Sequence, residues 1–279
     1  MTDAATGIGD LPDVTLLWLE ITQQCQLTCV HCYASSGPAG THGTMTVETW
    51  VRVIDQAAAA GVRVLKFIGG EPTLHPRLPD LVTHAVHRGL WVSVYSNLLR
   101  ISPGMWRALA LPGVELETSY YSSLAEQHEA ITGRRGSHRR TTATILEALD
   151  RGVPVRAGLV AVHPGQRVDE ARERLRTLGI GITCVDRVRK IGRGAGTAHG
   201  EDLGELCGRC ARDRLAVCSD GTVRPCVLAR WITLGNVHER ELSSIIADSA
   251  ARHRTHAQIL AACRSTGGAR PDPDRRCPP

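Results

Sequence analysis

One pattern repeats from residue 14 to residue 190 of this 279-residue chain: a helical stretch stops at a glycine, and an apolar, β-branched run follows. Trp50, Val51, Ile54, Ala57 and Ala58 share a helical face that Gly61 closes, and Val62 to Ile68 (VRVLKFI) then reads as a buried strand. Leu78, Leu81, Val82, Ala85 and Val86 form the next face, closed by Gly89, before Leu90 to Tyr95 (LWVSVY). A shorter helix around Trp106 and Leu109 ends at Gly113, before Val114 to Ser119. Ile145, Leu146 and Leu149 precede Gly152 and a strand from Val153 to Val162. Ala171, Leu175 and Leu178 precede Gly179 and a strand from Ile180 to Val188. With Val14 to Ile21 in front, six strands alternate with five helices. Such strands pair in parallel through right-handed crossovers. Six units fall short of a closed eight-stranded barrel. The expected fold class is α/β, a partial (β/α)6 parallel barrel.

Ligands of parallel α/β folds bind at the carboxyl ends of the strands. That rule brings a particular set of loops to one rim. The loop after the first strand carries Cys25, Cys29 and Cys32, and the loop after the second carries Gly69, Gly70 and Glu71. The third strand ends at Ser96 and Asn97, and the fourth at Ser119, Tyr120 and Tyr121.

The ten cysteines fall in groups. Three lie within residues 25–32, none in residues 33–183, and the rest are Cys184, Cys207, Cys210, Cys218, Cys226, Cys263 and Cys277. No secretory signal is visible, so a cytoplasmic, reducing compartment is expected and a disulfide scaffold is not. No apolar run approaches the roughly 18 residues of a membrane span. The charge of +5 rests on dispersed arginines, with Lys66 and Lys190 the only lysines, and no nucleic-acid partner is expected. Soft thiolates bind zinc or iron–sulfur clusters. A structural zinc site needs a fourth ligand, and only His31 is near; three cysteines on a four-iron cluster leave one iron open.

CQLTCVHCY resembles the cluster loop of radical S-adenosylmethionine (SAM) enzymes, Cys-x3-Cys-x2-Cys. Gly69-Gly70-Glu71-Pro72 resembles that family's GGEP segment, which contacts the SAM amino group. Ser96, Asn97 and Ser119 stand where the family places polar contacts to SAM, and Val160 where a strand lines the adenine. The resemblance covers about residues 14 to 190. It implies a [4Fe–4S] cluster on Cys25, Cys29 and Cys32 that binds SAM. It also implies reductive cleavage of SAM to a 5′-deoxyadenosyl radical, hydrogen abstraction from substrate, and an external electron donor of flavodoxin or ferredoxin type.

Cys207-x2-Cys210-x15-Cys226 forms the second group. Its Cys210-x10-Gly221-x4-Cys226 portion resembles the opening of a SPASM or shorter twitch lobe, which implies one auxiliary [4Fe–4S] cluster. The fourth ligand is open among Cys218, Cys263 and Cys277, with Cys218 the first candidate; substrate or no ligand remain alternatives. The expected organisation is an extension over 1–13, a barrel over 14–190, an auxiliary lobe and final helix over 191–262, and an irregular tail over 263–279.

Cys184, on the sixth strand, is a packing residue or a thiol that donates hydrogen to a substrate radical. Tyr95, Tyr120 and Tyr121 are expected near the rim as packing, lid or pocket residues. His128 and Arg134 are expected on a solvated loop. Arg187, Arg189 and Arg193 could face an anionic group. The expected function is modification of a ribosomally made peptide by epimerisation, crosslinking or oxidation. A recognition domain ahead of the barrel is not expected, so a peptide substrate would require a separate leader-recognition protein or direct binding. The alternatives are a radical SAM epimerase or dehydrogenase of a small molecule such as an aminoglycoside, a non-catalytic iron–sulfur electron carrier, and a zinc-binding module.

Overall fold

The glycine-terminated helices and apolar runs form the expected alternating units. The computed structural model describes residues 13–197 and 201–265, apart from the side chains of 183, 184 and 265. The strands are β1 (Leu16–Glu20), β2 (Val64–Ile68), β3 (Trp91–Tyr95), β4 (Val114–Tyr120), β5 (Val155–Ala161) and β6 (Gly181–Arg187). The crossovers are α1 (Val47–Ala59), α2 (Leu78–His87), α3 (Pro103–Leu109), the pair α4 (Ala125–Thr132) and α5 (Ser137–Asp150), and α6 (Val168–Thr177). Local chemistry starts and stops these helices. The Thr46 hydroxyl accepts the Thr49 N–H (3.2 Å) at the start of α1, and Gly61 leaves that helix at φ 83°.

Two helices, not one, connect β4 to β5. Gly133 and Gly136, at φ 68° and 80°, break the segment between α4 and α5. His128 therefore lies buried on α4 rather than on a solvated loop, whereas Arg134 is exposed as expected.

The barrel is open, and the C-terminal segment extends its sheet. Strands β7 (Arg214–Cys218), β8 (Thr222–Arg224) and β9 (Gly235–Asn236) complete the order β6-β5-β4-β3-β2-β1-β7-β8-β9. All pairs from β6 to β7 are parallel, with Leu16 opposite Arg214 and Glu20 opposite Cys218; β8 and β9 pair antiparallel. The expected final helix is two: α7 (Leu242–Ala247) and α8 (Ser249–Ser265). Asp248 separates them, and its carboxylate accepts the Ala251 N–H (3.0 Å). Cys263 is thus helical and does not open an irregular tail. Among the described residues no helix is long and apolar enough to cross a membrane.

Alternation along β1 feeds two cores. Leu17, Leu19 and Ile21 face the helices, while Leu16 and Trp18 join a second cluster with Cys210, Cys226, Ile259 and Cys263. On that second face Glu20 is 1% exposed, and Arg230 donates to both of its carboxylate oxygens. This pair ties the C-terminal lobe to the first barrel strand. Removing one partner of a buried ion pair costs about 3–5 kcal/mol. Arg230→Met is therefore expected to lower unfolding free energy by an amount of that order, measured by urea denaturation.

Candidate active site

The cysteine loop is fastened to the end of β2 through backbone alone. Gly70 N–H donates to Thr22 O (2.7 Å) and Glu71 N–H to Gln24 O (2.8 Å). A Cβ at Gly69 would lie 2.5 Å from Thr22 O, and one at Gly70 2.3 Å from Gln24 O, so only glycine allows this approach. Arg193 holds the far end of the loop: its Nε donates to Cys29 O (2.8 Å) and its N–H to Cys32 O (2.9 Å).

A solvent-open cleft lies at the carboxyl ends of the strands. Its lining brings together Cys25, Cys29 and Cys32 with Gly69, Gly70, Ser96, Asn97, Ser119 and Val160. Tyr95 and Tyr121 line it too, with the Tyr95 and Ser119 hydroxyls hydrogen bonded at 2.9 Å. Tyr120 instead packs in the core beneath the helices. The Asn97 side chain pairs with the Gln26 amide and donates to Cys25 Sγ (3.7 Å).

Glu71 does not reach the cleft; it is fully buried behind the cleft wall. Its carboxylate accepts four hydrogen bonds: from the Thr73 N–H (3.0 Å) and hydroxyl (2.6 Å), the Ser96 hydroxyl (2.8 Å) and the Asn97 N–H (2.7 Å). Burial nevertheless pushes the carboxyl above its ordinary value. In this position the Glu71 carboxylate holds the Ser96–Asn97 turn.

Burial raises the Cys25 and Cys29 thiols to about 11 and about 12, and the neighbouring cysteine sulfurs add repulsion. Such a site favours thiolate only when a metal supplies positive charge. Among the described residues no three His, Cys, Asp or Glu side chains converge as a site for a single metal ion. Three cysteines lining one cleft supply the thiolate donors that a [4Fe–4S] cluster takes.

Of the three arginines after β6, Arg187 pairs with Glu205 (2.7 Å) and Arg189 with Asp186 (2.8 and 3.0 Å). Arg193 has no carboxylate partner among the described ion pairs and lies beside Cys29 and Cys32 of the cysteine loop.

The second cysteine group converges around α8. Cys210 and Cys226 sulfurs are 2.6 Å apart, and Cys207 is hydrogen bonded to Cys210. Cys263 feels the charge of Cys207 and packs in the same apolar cluster as Cys210 and Cys226. Cys218 is placed elsewhere, at the end of β7, where Arg224 Nε donates to its sulfur (3.3 Å) beside Glu20 and Arg230. The parallel pairing of β7 with β1 carries it there, away from the group, while Cys263 lies beside Cys210 and Cys226. The side chain of Cys184 and all of Cys277 lie outside the described residues.

Residues 19–178 match the family model of the radical SAM superfamily. The chain belongs to the radical SAM superfamily. Residues 207–277 match the model of the SPASM iron–sulfur cluster-binding domain. Radical SAM membership brings a [4Fe–4S] cluster and SAM, and the SPASM domain brings auxiliary iron–sulfur chemistry.

The PqqA peptide cyclase of Ruegeria pomeroyi is 30% identical over 156 residues, 53% of this chain and 41% of the relative. The antilisterial bacteriocin subtilosin biosynthesis protein AlbA of Bacillus subtilis is 26% identical over 205 residues, 71% of this chain and 45% of the relative. The chain thus matches less than half the length of these curated relatives. Among solved structures, Streptococcus suis SuiB bound to S-adenosylmethionine has a TM-score of 0.74 at 14% identity, over 95% of this chain and 78% of that one. BtrN in complex with AdoMet and 2-DOIA gives 0.55 at 14% identity, over 92% of each chain. At these identities the structural likeness is one of fold.

The buried histidine on α4 is the site residue that sequence reasoning missed. His128 is 1% exposed, lines the cleft, and lies between the rings of Tyr120, Tyr121 and His138. The spacing of His128, Ile131 and Thr132 on one helical face was the available signal.

Two measurements test this radical SAM site. Cys263→Ala is expected to lower iron per chain after anaerobic reconstitution, whereas Cys218→Ala keeps wild-type iron. Burial, with His138 nearby, lowers His128 to about 3, so it is neutral when folded, while the unfolded chain titrates near 6.5. Its contribution is complete above pH 6.5 and lost progressively as pH falls toward 3, because the unfolded chain binds the proton first. Unfolding free energy is expected to drop from pH 7 to pH 5, and less steeply in His128→Phe.

Proposed function

We propose that this protein reductively cleaves SAM and directs the resulting radical at a ribosomally made peptide. The observation that carries the reading is the one cleft shared by the three loop thiols, the glycine pair, the polar ends of β3 and β4, and Val160 of β5. The match to two peptide-modifying relatives, a PqqA peptide cyclase and AlbA, supports a peptide substrate.

Cys25, Cys29 and Cys32 would hold the cluster, and Cys207, Cys210, Cys226 and Cys263 the auxiliary one. When bound, the first cluster supplies the electron that converts SAM into methionine and a 5′-deoxyadenosyl radical, which takes a hydrogen atom from substrate. The protein's share is orientation and exclusion of water. Gly69 and Gly70 bring the backbone close to the methionine end. Asn97, held by Glu71, and Ser119, held by Tyr95, present polar groups to SAM, and Val160 offers an apolar wall to the adenine. Arg193 fixes the loop carbonyls and places positive charge beside the thiolates. An external flavodoxin- or ferredoxin-type protein would supply the electron, and the peptide would reach the cleft through a separate leader-recognition protein or by direct binding. Cys184 would be the hydrogen donor if the net reaction is epimerisation.

Anaerobically reconstituted protein with SAM and dithionite is expected to form 5′-deoxyadenosine, and Cys29→Ala to reduce it to background. Intact SAM in the wild type would favour the electron-carrier alternative. With a candidate precursor peptide, loss of hydrogen mass marks oxidation or crosslinking. Unchanged mass with deuterium taken up from solvent marks epimerisation, and Cys184→Ala should then stop turnover to product while SAM cleavage continues. A peptide left unaltered while a small aminocyclitol is converted would refute the peptide reading.

A further inference from the structure

The outer face of the cysteine loop, away from the cleft, adjoins a run of exposed arginines. Arg134 and Arg135 lie on the turn between α4 and α5, and Arg139 and Arg140 on the first turn of α5; all four are exposed. None takes part in an ion pair among the described residues. The nearby acids in sequence are Glu126 and Glu129 on α4, and the Glu129 charge acts on His138. The arginines therefore leave an excess of positive charge, to which the amino end of α5 adds.

This basic turn is bonded directly to the loop. Thr28 N–H donates to Thr132 O (3.2 Å), Val30 N–H to Ile131 O (3.0 Å), and Arg134 Nη1 to Gln26 O (3.0 Å). Gly133 comes so close that an added Cβ would meet Thr28 Oγ1 at 2.3 Å. Val30, between Cys29 and Cys32, is 50% exposed and its N–H is the one bonded to Ile131 O at the end of α4. The thiols of the same loop face the cleft on the other side.

One-electron transfer weakens steeply with distance, and the cleft itself must admit SAM and substrate. The outer face of residues 26–31 is the other short approach to the loop. We propose that Val30 with Arg134, Arg135, Arg139 and Arg140 forms the docking surface for a small acidic one-electron carrier of flavodoxin or ferredoxin type. The inference rests on the radical SAM reading above. In the transfer, a flavodoxin hydroquinone loses one electron and becomes the semiquinone, and the oxidised cluster held by Cys25, Cys29 and Cys32 gains that electron; no covalent bond forms or breaks. Complexes of this kind bury little surface and depend on charge for encounter.

The test uses reconstituted holoprotein and an acidic bacterial flavodoxin. Its affinity is measured by calorimetry across a series of salt concentrations, and the hydroquinone-driven rate of cluster reduction by stopped-flow absorbance. The triple variant Arg135→Glu, Arg139→Glu, Arg140→Glu is expected to weaken binding about tenfold or more at low salt and to flatten the salt dependence. The flavodoxin-driven rate should fall in parallel, while reduction by dithionite keeps its wild-type rate. Replacing the same three arginines by Gln should give an intermediate loss. Unchanged affinity and salt dependence in both triple variants overturns the proposal, as does a wild type that binds neither an acidic flavodoxin nor an acidic ferredoxin. A variant that loses precursor-peptide binding but keeps carrier affinity overturns it in favour of a peptide-docking role. Failure of dithionite-driven SAM cleavage in the wild type strikes the functional reading instead, because carrier affinity is read separately.

Discussion

The backbone contact between residues 22–24 and residues 69–71 is the constraint on which the site depends. Two short hydrogen bonds and two glycines without room for a Cβ press the cysteine loop onto the end of β2. Glu71 is carried by that contact into the protein and accepts from Ser96 and Asn97. Asn97 in turn meets Gln26 and Cys25. The ends of β1, β2 and β3 are thereby one hydrogen-bonded unit. The fully buried carboxylate has its charge spread over four donors, which is the condition under which a buried acid can hold backbone in place.

A second buried charge joins the auxiliary lobe to this unit. Glu20 ends β1 on the face opposite the helices, and Arg230 reaches it from the segment after β8. Because β7 lies parallel to β1, the lobe continues the barrel sheet. Trp18 shares an apolar cluster with Cys210, Cys226 and Cys263, and the same cluster takes in Tyr33, Ile68, Tyr95 and Leu228 from the cleft lining.

Much of this was readable from residues. The apolar faces around Ile54, Leu81 and Leu175, each closed by a glycine, placed their helices, and the loops after the strands met at one rim. Other features were not readable. The weak amphipathicity of residues 125–132 hid α4, and with it the burial of His128. Arg193 looked like its neighbours Arg187 and Arg189, and only the pairing of those two with Glu205 and Asp186 set it apart. The choice between Cys218 and Cys263 needed the strand order, since Cys218 is nearer in sequence to Cys210 but leaves the group along β7.

The sequence by itself determined the alternating parallel fold, the family and the kind of metal chemistry, because helix periodicity, terminal glycines and thiol spacing act over short stretches of chain. Tertiary structure decided that Cys263 and not Cys218 lies beside Cys210 and Cys226, that Glu71 is buried against the Ser96–Asn97 turn, and that the lobe joins the sheet at β1. Those outcomes depend on which distant segments share an edge or a buried face. Pairings of that range are selected by burial and by the need to satisfy buried polar groups, and local pattern carries no record of them.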